Sequence, residues 1–421
     1  MFVFLEFFAF TLFAACSLFA DNTAVMPSGY GTSSNPFKMT RIENFVWLGE
    51  NLSSLDHPIH LSLQNDIDAT ETYEWNDGMG FKPIGSYFAN NFSGKINGNG
   101  HSIIGLYINR DNSYHIGLFS SVKKAEFLNL NMSNAFVAGS GYVGVLSGMA
   151  EESSFFNCNV YSSEVKGIKA HIGGLAGYAA PSNSFEDCTF CGNIDGRSYL
   201  GGIAGSAKSS MIRGSYSESI IGSGDVAIGG IVGNAESSDI VRCKSFIDSS
   251  AATNAFGSGG IAGFGGANIK QSCAFGIIGG MKSIGGLLGV GGDLIENCYV
   301  RCVIQGDTEV GGIVGSLDYP CVIVNSYTLG DIDANSSYGE IVGINSYYCT
   351  FSNVFYSLRN MDRWEENRKK MLNKSTFENW DFDTIWNIND GCGFPYFKWE
   401  TPEPSLVIFL SLLFIFSQFR K

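Results

Sequence analysis

His171-Ile172-Gly173-Gly174-Leu175-Ala176-Gly177 is the phrase on which the fold turns, because the chain repeats it. Close variants fill residues 199–205 (YLGGIAG), 227–233 (AIGGIVG), 257–263 (GSGGIAG), 283–289 (SIGGLLG) and 309–315 (EVGGIVG). Weaker members fill 115–121 (HIGLFSS), 142–148 (YVGVLSG) and 337–343 (SYGEIVG). The first glycine of each falls at Gly117, Gly144, Gly173, Gly201, Gly229, Gly259, Gly285, Gly311 and Gly339. The intervals are 27, 29, 28, 28, 30, 26, 26 and 28 residues. Self-similarity at a fixed period of this size marks a stacked-repeat architecture.

Aligning the copies exposes columns. Two positions after the glycine stands Phe119, Leu146, Leu175, Ile203, Ile231, Ile261, Leu287, Ile313 or Ile341. About 14 positions after it stands Cys158, Cys188, Ser215, Cys243, Cys273, Cys298, Ser326 or Val354. Just before these lies a mostly polar column of Asn157, Asp187, Gly214, Arg242, Ser272, Asn297, Asn325 and Asn353. Short runs such as 228–232 and 295–300 alternate as strands do, whereas glycine at this density is costly in helix interiors. Stacked strands lie ~4.8 Å apart, so like residues form ladders. One coil cannot bury its inner face alone, but stacked coils share a core. The glycines are expected to supply positive-φ corners and close coil-to-coil approach, and Asn or Asp to hold the turns. A β-propeller blade of roughly 40 residues fits the period badly. The expected fold is all-β: a right-handed parallel β-helix of about nine coils over residues 91–355. An N-terminal cap segment, 21–90, and a C-terminal cap, 356–400 with an aromatic-rich stretch, flank it.

Composition agrees. Of 421 residues, 45% are hydrophobic and only 16% charged, enough apolar material for a long core. The 53 glycines come without a Gly-X-Y period, which excludes collagen, and the regular apolar runs exclude a disordered linker. A net charge of −14, with 368–370 the one dense basic run, excludes nucleic acid as a partner. An acidic surface suits solubility and attracts cations or basic partners.

The two ends read as sorting signals. Residues 1–20 are apolar, with Glu6 the single charge, and lead into Asp21-Asn22; this is a secretory signal cut after Ala20. The alternative is a lipoprotein box, Phe13-Ala14-Ala15-Cys16, with Cys16 lipidated. At the other end Pro402-Glu403-Pro404-Ser405 precedes an apolar run to Phe416 and a basic Arg420-Lys421. Residues 401–421 resemble the PEP-CTERM sorting tail of bacterial envelope proteins. That resemblance implies retention in the envelope membrane until an exosortase-like enzyme processes the tail. The run is shorter than the roughly 20 residues of a spanning helix, so a buried terminal strand or helix is the alternative. A GPI-type signal is another, given Asn-x-Ser at Asn51, Asn91, Asn131, Asn335 and Asn373.

The repeated phrase resembles the GLUG repeat of bacterial adhesin-like surface proteins and of some IgA-cleaving metallopeptidases. Asn65-Asp66-Ile67-Asp68-Ala69, Gly80-Phe81-Lys82-Pro83-Ile84-Gly85 and residues 92–106 (FSGKINGNGHSIIGL) resemble the start of such proteins. Residues 375–382 (STFENWDF), 385–388 (IWNI) and 394–399 (FPYFKW) resemble their close. The resemblance covers roughly residues 35–400 and implies a β-helix at the cell surface or outer envelope. It does not carry the peptidase activity, which belongs to separate domains of that family. Both flanks make sense as caps that shield a solenoid's ends. Residues 380–399 are suited to covering the last coil, 364–372 are the best helix candidate, and 44–48 are a second, shorter one.

No catalytic, cofactor or metal residues are assigned. There is no His-Glu-x-x-His, and His57-Pro58-Ile59-His60 carries a proline that argues against a helix-borne metal pair. The Gly-Gly phrases lack the following helix of a dinucleotide site. Cys188-x-x-Cys191 has no second pair at zinc spacing. Cys321 and Cys349 are 28 apart and should stack, as free core thiols by preference or as a disulfide. A carbohydrate-active β-helix enzyme needs converging carboxylates. Asp66, Asp68 and Asp77, and Asp331 with Asp333, are the candidates; Asp66 and Asp68 are also the candidate cation ligands. All five read equally well as turn residues. The expectation is therefore a chain that is not an enzyme and presents a long β surface to a glycan, a matrix or another cell. Loops between repeats, such as 249–258, are its expected contact points.

Overall fold

The computed structural model describes residues 23–56, 58–344, 348–359 and 363–400. The signal stretch with Cys16, the tail 401–421 and His57 of the histidine pair lie outside the described residues.

The chain forms the expected all-β parallel solenoid, of about eleven turns rather than nine. The difference lies ahead of the first phrase. Leu61 pairs in register with Phe37 on one side and Ile96 on the other; Ile96 pairs with Phe127, and Phe127 with Phe155. Parallel pairing then continues to Cys349–Leu358.

The column two positions after each glycine is internal. Phe119, Leu146, Leu175, Ile203, Ile231, Ile261, Leu287 and Ile313 are fully buried, and each main chain bonds the next, as Leu175 N does to Ile203 O at 3.1 Å. Phe127, Phe155 and Phe185 stack beside them at 4.7 and 4.6 Å. Truncating such a side chain costs about 3–5 kcal/mol.

One expected role of the phrase glycines is corrected. Except for Gly257, at 78°, they are not the positive-φ corners. A Cβ on Gly173 would lie 2.1 Å from Ala176 O and 2.4 Å from Gly205 N, so close approach is what demands glycine there. The left-handed residue is instead the phrase's first letter: His115 (58°), Tyr142 (55°), His171 (65°), Tyr199 (56°), Ala227 (58°), Ser283 (60°) and Glu309 (58°).

The second column holds with one slip. Cys243 N donates to Ser272 Oγ at 3.1 Å, and the neighbouring strands pair Lys244 with Cys273 and Cys273 with Tyr299. Ser272 is therefore the inward residue of that coil and Gln271 the left-handed one, at 48°. Cys273 faces the opposite side, since a one-residue shift turns a strand over. In this column hydroxyls serve the turns: Cys188 N donates to Ser215 Oγ at 3.2 Å and Cys298 N to Ser326 Oγ at 3.0 Å.

At the N-terminal end α1 (Ile42–Asn51) buries Ile42, Phe45 and Leu48, and Trp47 packs edge-on against Phe37 at 5.3 Å. Ser28 adds an antiparallel bridge to Lys38 on the first strand. Near the other end α2 spans Trp364–Lys370. The aromatic segment after it lies along the side of several coils, starting at the last, where Phe377 and Trp380 pack against Phe355 at 5.0 and 6.0 Å. Trp386 packs against Tyr299 and Tyr327 at 6.3 and 6.2 Å. Its indole N–H donates to Asn297 at 3.2 Å. Glu400 accepts the Tyr299 hydroxyl at 2.8 Å and lies 3.6 Å from Lys244 Nζ, further back still.

Candidate functional site

The left-handed corner places its side chains in one line along the solenoid. Over four coils, from His115 to Tyr199, that line is aromatic, and Tyr87 extends it. Tyr87 stacks on His115 at 5.0 Å, His115 on Tyr142 at 4.8 Å, Tyr142 on His171 at 4.6 Å and His171 on Tyr199 at 4.9 Å. Interplanar angles are 17–31°. Each ring face lies against the next. Tyr178, from the neighbouring strand, leans on Tyr142 and His171 at 6.0 and 5.3 Å. Ser206 and His171 Nδ1 share a hydrogen bond of 2.7 Å. Burial pushes His171 down to about 4 and lowers His115, so both imidazoles are neutral near pH 7. Burial likewise raises the Tyr178 phenol. Lys169 donates to the Tyr114 hydroxyl beside the ladder and holds that phenol below its usual range.

Further around each coil comes a row of inter-coil ion pairs, Lys123 with Glu151 at 2.9 Å and Lys208 with Glu236 at 2.7 Å. Beyond it the next corner opens a polar groove of about 640 Å³. Its rim residues Lys124, Glu152, Ser182, Ser209 and Ser237 also have left-handed φ, at 53°, 48°, 67°, 44° and 48°. Buried hydroxyls and an amide join its floor from coil to coil: Ala125 N to Ser153 Oγ (3.0 Å), Ser153 N to Asn183 Oδ1 (2.9 Å), Ser210 N to Ser238 Oγ (3.2 Å). The rim hydroxyls, Lys124, Glu126 and Asp239 line the opening. Ladder, ion pairs and groove make one lateral face that repeats at the coil spacing.

The sequence did not single this face out. Its signal was the first letter of the phrase, H-Y-H-Y in consecutive copies from His115 to Tyr199.

The carboxylates flagged as enzyme candidates do not converge. Asp66 accepts the Ser102 amide at 2.9 Å and faces His101 at 3.3 Å. Asp68 accepts both the hydroxyl and the amide of Thr70, which lower its pKa in that order. Asp77 sits in a left-handed turn at 55°. Asp331 lies 3.8 Å from Arg359. Asp333 lines a separate small groove of about 210 Å³ with Asp307, Asn335 and Gln305, and with Ser250 and Thr253 of the flagged loop. Among the described residues no group of three or more His, Cys, Asp or Glu is placed to hold a metal.

The thiols divide by side. Cys188 is buried inward, while Cys191 is half-buried with burial pushing its thiol up to about 11. Cys321 and Cys349 pair in register as free thiols; Cys349's hydrogen bond lowers the Cys321 thiol, and the same contact raises Cys349.

No protein family's model matches the chain. Over 161 residues, 38% of its length, it is 33% identical to halomucin of Haloquadratum walsbyi. Over 131 residues, 30% of its length, it is 36% identical to a Gly-rich membrane protein of Evansella cellulosilytica. These stretches are 2% and 15% of the two relatives, so the chain spans a small part of each. Among solved structures it is similar to an immunoglobulin A1 protease from Bacteroides ovatus, over 89% of this chain and 95% of that one, at 18% identity and a TM-score of 0.44. A chain named IgA1 protease aligns over 76% of this chain and 21% of its own, at 15% identity and a TM-score of 0.35. The expectation that the chain is not an enzyme is corrected here. The solved chains it aligns with carry the name immunoglobulin A1 protease. At these identities the likeness is one of fold and brings no activity with it. No helix among the described residues is long and apolar enough to cross a membrane.

Proposed function

We propose that this chain is an exported surface protein whose lateral face binds an extended glycan of the matrix or of another cell. The observation that carries the reading is the Tyr87–Tyr199 ladder running beside the hydroxyl-lined groove over successive coils. A polymer of repeating, hydroxyl-rich units lying along the axis meets the same donors and acceptors at each coil. Phenol, imidazole, serine and carboxylate groups suit neutral polar recognition, with orientation set by a few fixed side chains. Export through residues 1–20, retention through the PEP-CTERM-like tail 401–421 and processing by an exosortase-like enzyme belong to the same reading. The GLUG-like repeats and the halomucin and membrane-protein relatives support it.

A glycan array probed with the purified protein, run beside a polysaccharide-degradation assay, tests the proposal. Saturable binding is expected, falling at least tenfold in Tyr142→Ala and His171→Ala. Alanine is tolerated at this corner, since Ala227 holds the same left-handed φ. Binding unchanged in both variants would sink the assignment of the face.

A further inference from the structure

We infer that Cys321 and Cys349 are a modification site, a thiol pair that a small organic disulfide oxidises to a disulfide bond. The two residues begin neighbouring strands, Cys321–Ala334 and Cys349–Leu358, and pair directly in register. Adjacent strands lie about 4.8 Å apart, inside the roughly 4.4–6.8 Å between Cα atoms that a disulfide spans. The two sulfurs already share a hydrogen bond. A second stacked pair shows what sets this one apart. Cys158 and Cys188 also face each other across adjacent coils, since Phe156 pairs with Glu186 and Asn159 with Thr189. Both are sealed in the core, at 0% and 1% exposure. Their thiols donate to main-chain carbonyls, Cys158 to Phe156 O at 3.6 Å and Cys188 to Phe155 O at 3.4 Å. Burial so complete leaves an oxidant no path to either sulfur. Cys349, by contrast, is half-buried. Its hydrogen bond, helped by the Asp293 and Val322 main chain, lowers the Cys321 thiol.

The exchange starts from the singly ionised pair. Cys349 passes its proton across the shared hydrogen bond to Cys321, and its sulfur attacks the small disulfide. That S–S bond breaks, a mixed disulfide forms on Cys349, and the departing small thiolate takes the proton from Cys321. The Cys321 thiolate then attacks the Cys349 sulfur and expels the second small thiolate. One disulfide is reduced to two small thiols, and the pair has given up two electrons to it. The order follows from the surroundings: the half-buried sulfur meets the oxidant, and the buried, lowered one resolves the intermediate. The product closes residues 321–349 into one covalent coil. It ties down the strand Cys349–Leu358 where the core thins, because Ile341 and Val354 are partly buried while Ile313 and Ser326, one coil earlier, are fully buried. A cross-link removes freedom from the opened chain, so the oxidised coil opens less often. The pair's reactivity does not depend on the glycan-binding face.

Thiol mapping by mass spectrometry tests the site. The full-length chain in detergent is equilibrated with glutathione at a rising oxidised share, quenched in acid, alkylated and digested. The expected product is a pair of peptides joined through Cys321 and Cys349. Cys158 and Cys188 should stay free, and the exposed Cys392 should take up glutathione, which shows that the oxidant was active. Cys321→Ser should halt the reaction with glutathione on Cys349, and Cys349→Ser should leave Cys321 unmodified, with circular dichroism unchanged in both. Amide exchange across 349–358 should slow about tenfold on oxidation of the parent and stay the same in the serine variants. Cys321 and Cys349 recovered as free thiols under conditions that modify Cys392 overturn the inference. So does a Cys158–Cys188 link formed to the same extent, or amide exchange that the Cys321–Cys349 link leaves unchanged.

Discussion

The solenoid carries two aromatic ladders, and they have opposite fates. In the first half, Tyr87, His115, Tyr142, His171 and Tyr199 stack along a half-buried corner that no later segment covers among the described residues. In the second half, Phe246 stacks on Phe275 at 4.7 Å and Tyr299 on Tyr327 at 5.2 Å, and the chain covers them itself. Trp380, Trp386 and Phe397 lie over that ladder, and Glu400, Lys244 and Tyr299 close the far end of the strap. Equal spacing alone thus says nothing about role. Whether a ladder is core or surface depends on the segment that returns over it, and polar atoms follow suit. The covered ladder spends its hydroxyls on internal partners, Tyr327 on Pro395 O and Tyr299 on Glu400. Among the described residues the open one has no segment returning over it, and its one ring-nitrogen bond, between His171 and Ser206, is to its own strands.

Removing the lid should break this comparison most visibly. Trp386 is fully buried and contacts Trp380 at 4.5 Å and Phe397 at 4.6 Å as well as the two tyrosines. Trp386→Ala should cost about 3–5 kcal/mol, read as a lower urea midpoint. If the variant unfolds at the parent's midpoint, the covered ladder contributes no more than the open one.

The inner columns were legible in the sequence because the core demands the same kind of side chain at a fixed step after each glycine. Legibility ended where turn length varied. Counting about 14 residues from the glycine mistook Cys273 for an inward residue, because that coil needs 13 and Ser272 fills the place. The glycines were read correctly for close approach, as at Gly173, and for positive φ at Gly214 and Gly257, but composition does not tell a crowded position from a left-handed one. The phrase's first letter looked variable, passing from His and Tyr to Ala, Gly, Ser and Glu, so the ladder stayed hidden in a column that was already aligned. The lateral path of the strap had no local signal at all. Trp386 meets Asn297 across 89 residues, and only the coil-to-coil register brings them together.

Acid should sharpen the contrast next. Burial lowers His171 to about 4, below the ~6.5 of an unfolded histidine, so folding favours the neutral ring. Its contribution is whole above pH 6.5 and is lost as pH falls toward 4, because the unfolded chain takes up the proton first. The shift is worth on the order of 3 kcal/mol, and lowered His115 adds to it in the same direction. The covered ladder and its strap contain no histidine. His171→Tyr, the residue that its neighbours Tyr142 and Tyr199 already show to fit this corner, should therefore lose less stability than the parent between pH 7 and pH 4.5. Melting curves at the two pH values decide it. Equal losses in parent and variant would mean that the open ladder's imidazoles are not held neutral.

The smallest effect on stability is expected at Tyr142. Its ring lies between His115 and His171 at 4.8 and 4.6 Å, yet it is only half-buried, so truncation removes stacking without leaving a closed cavity. Aromatic pairs contribute about 0.5–1.5 kcal/mol beyond burial, and the left-handed backbone is kept by alanine as at Ala227. Tyr142→Ala should thus lower the urea stability by about 1 kcal/mol, well under the Trp386→Ala loss, while glycan binding falls at least tenfold. A stability loss as large as that of Trp386→Ala would show that the open ladder is core in all but exposure. Any accompanying loss of binding would then report unfolding rather than contact. A small stability loss with a large binding loss separates the two ladders by role: one holds the coils together, and the other presents them.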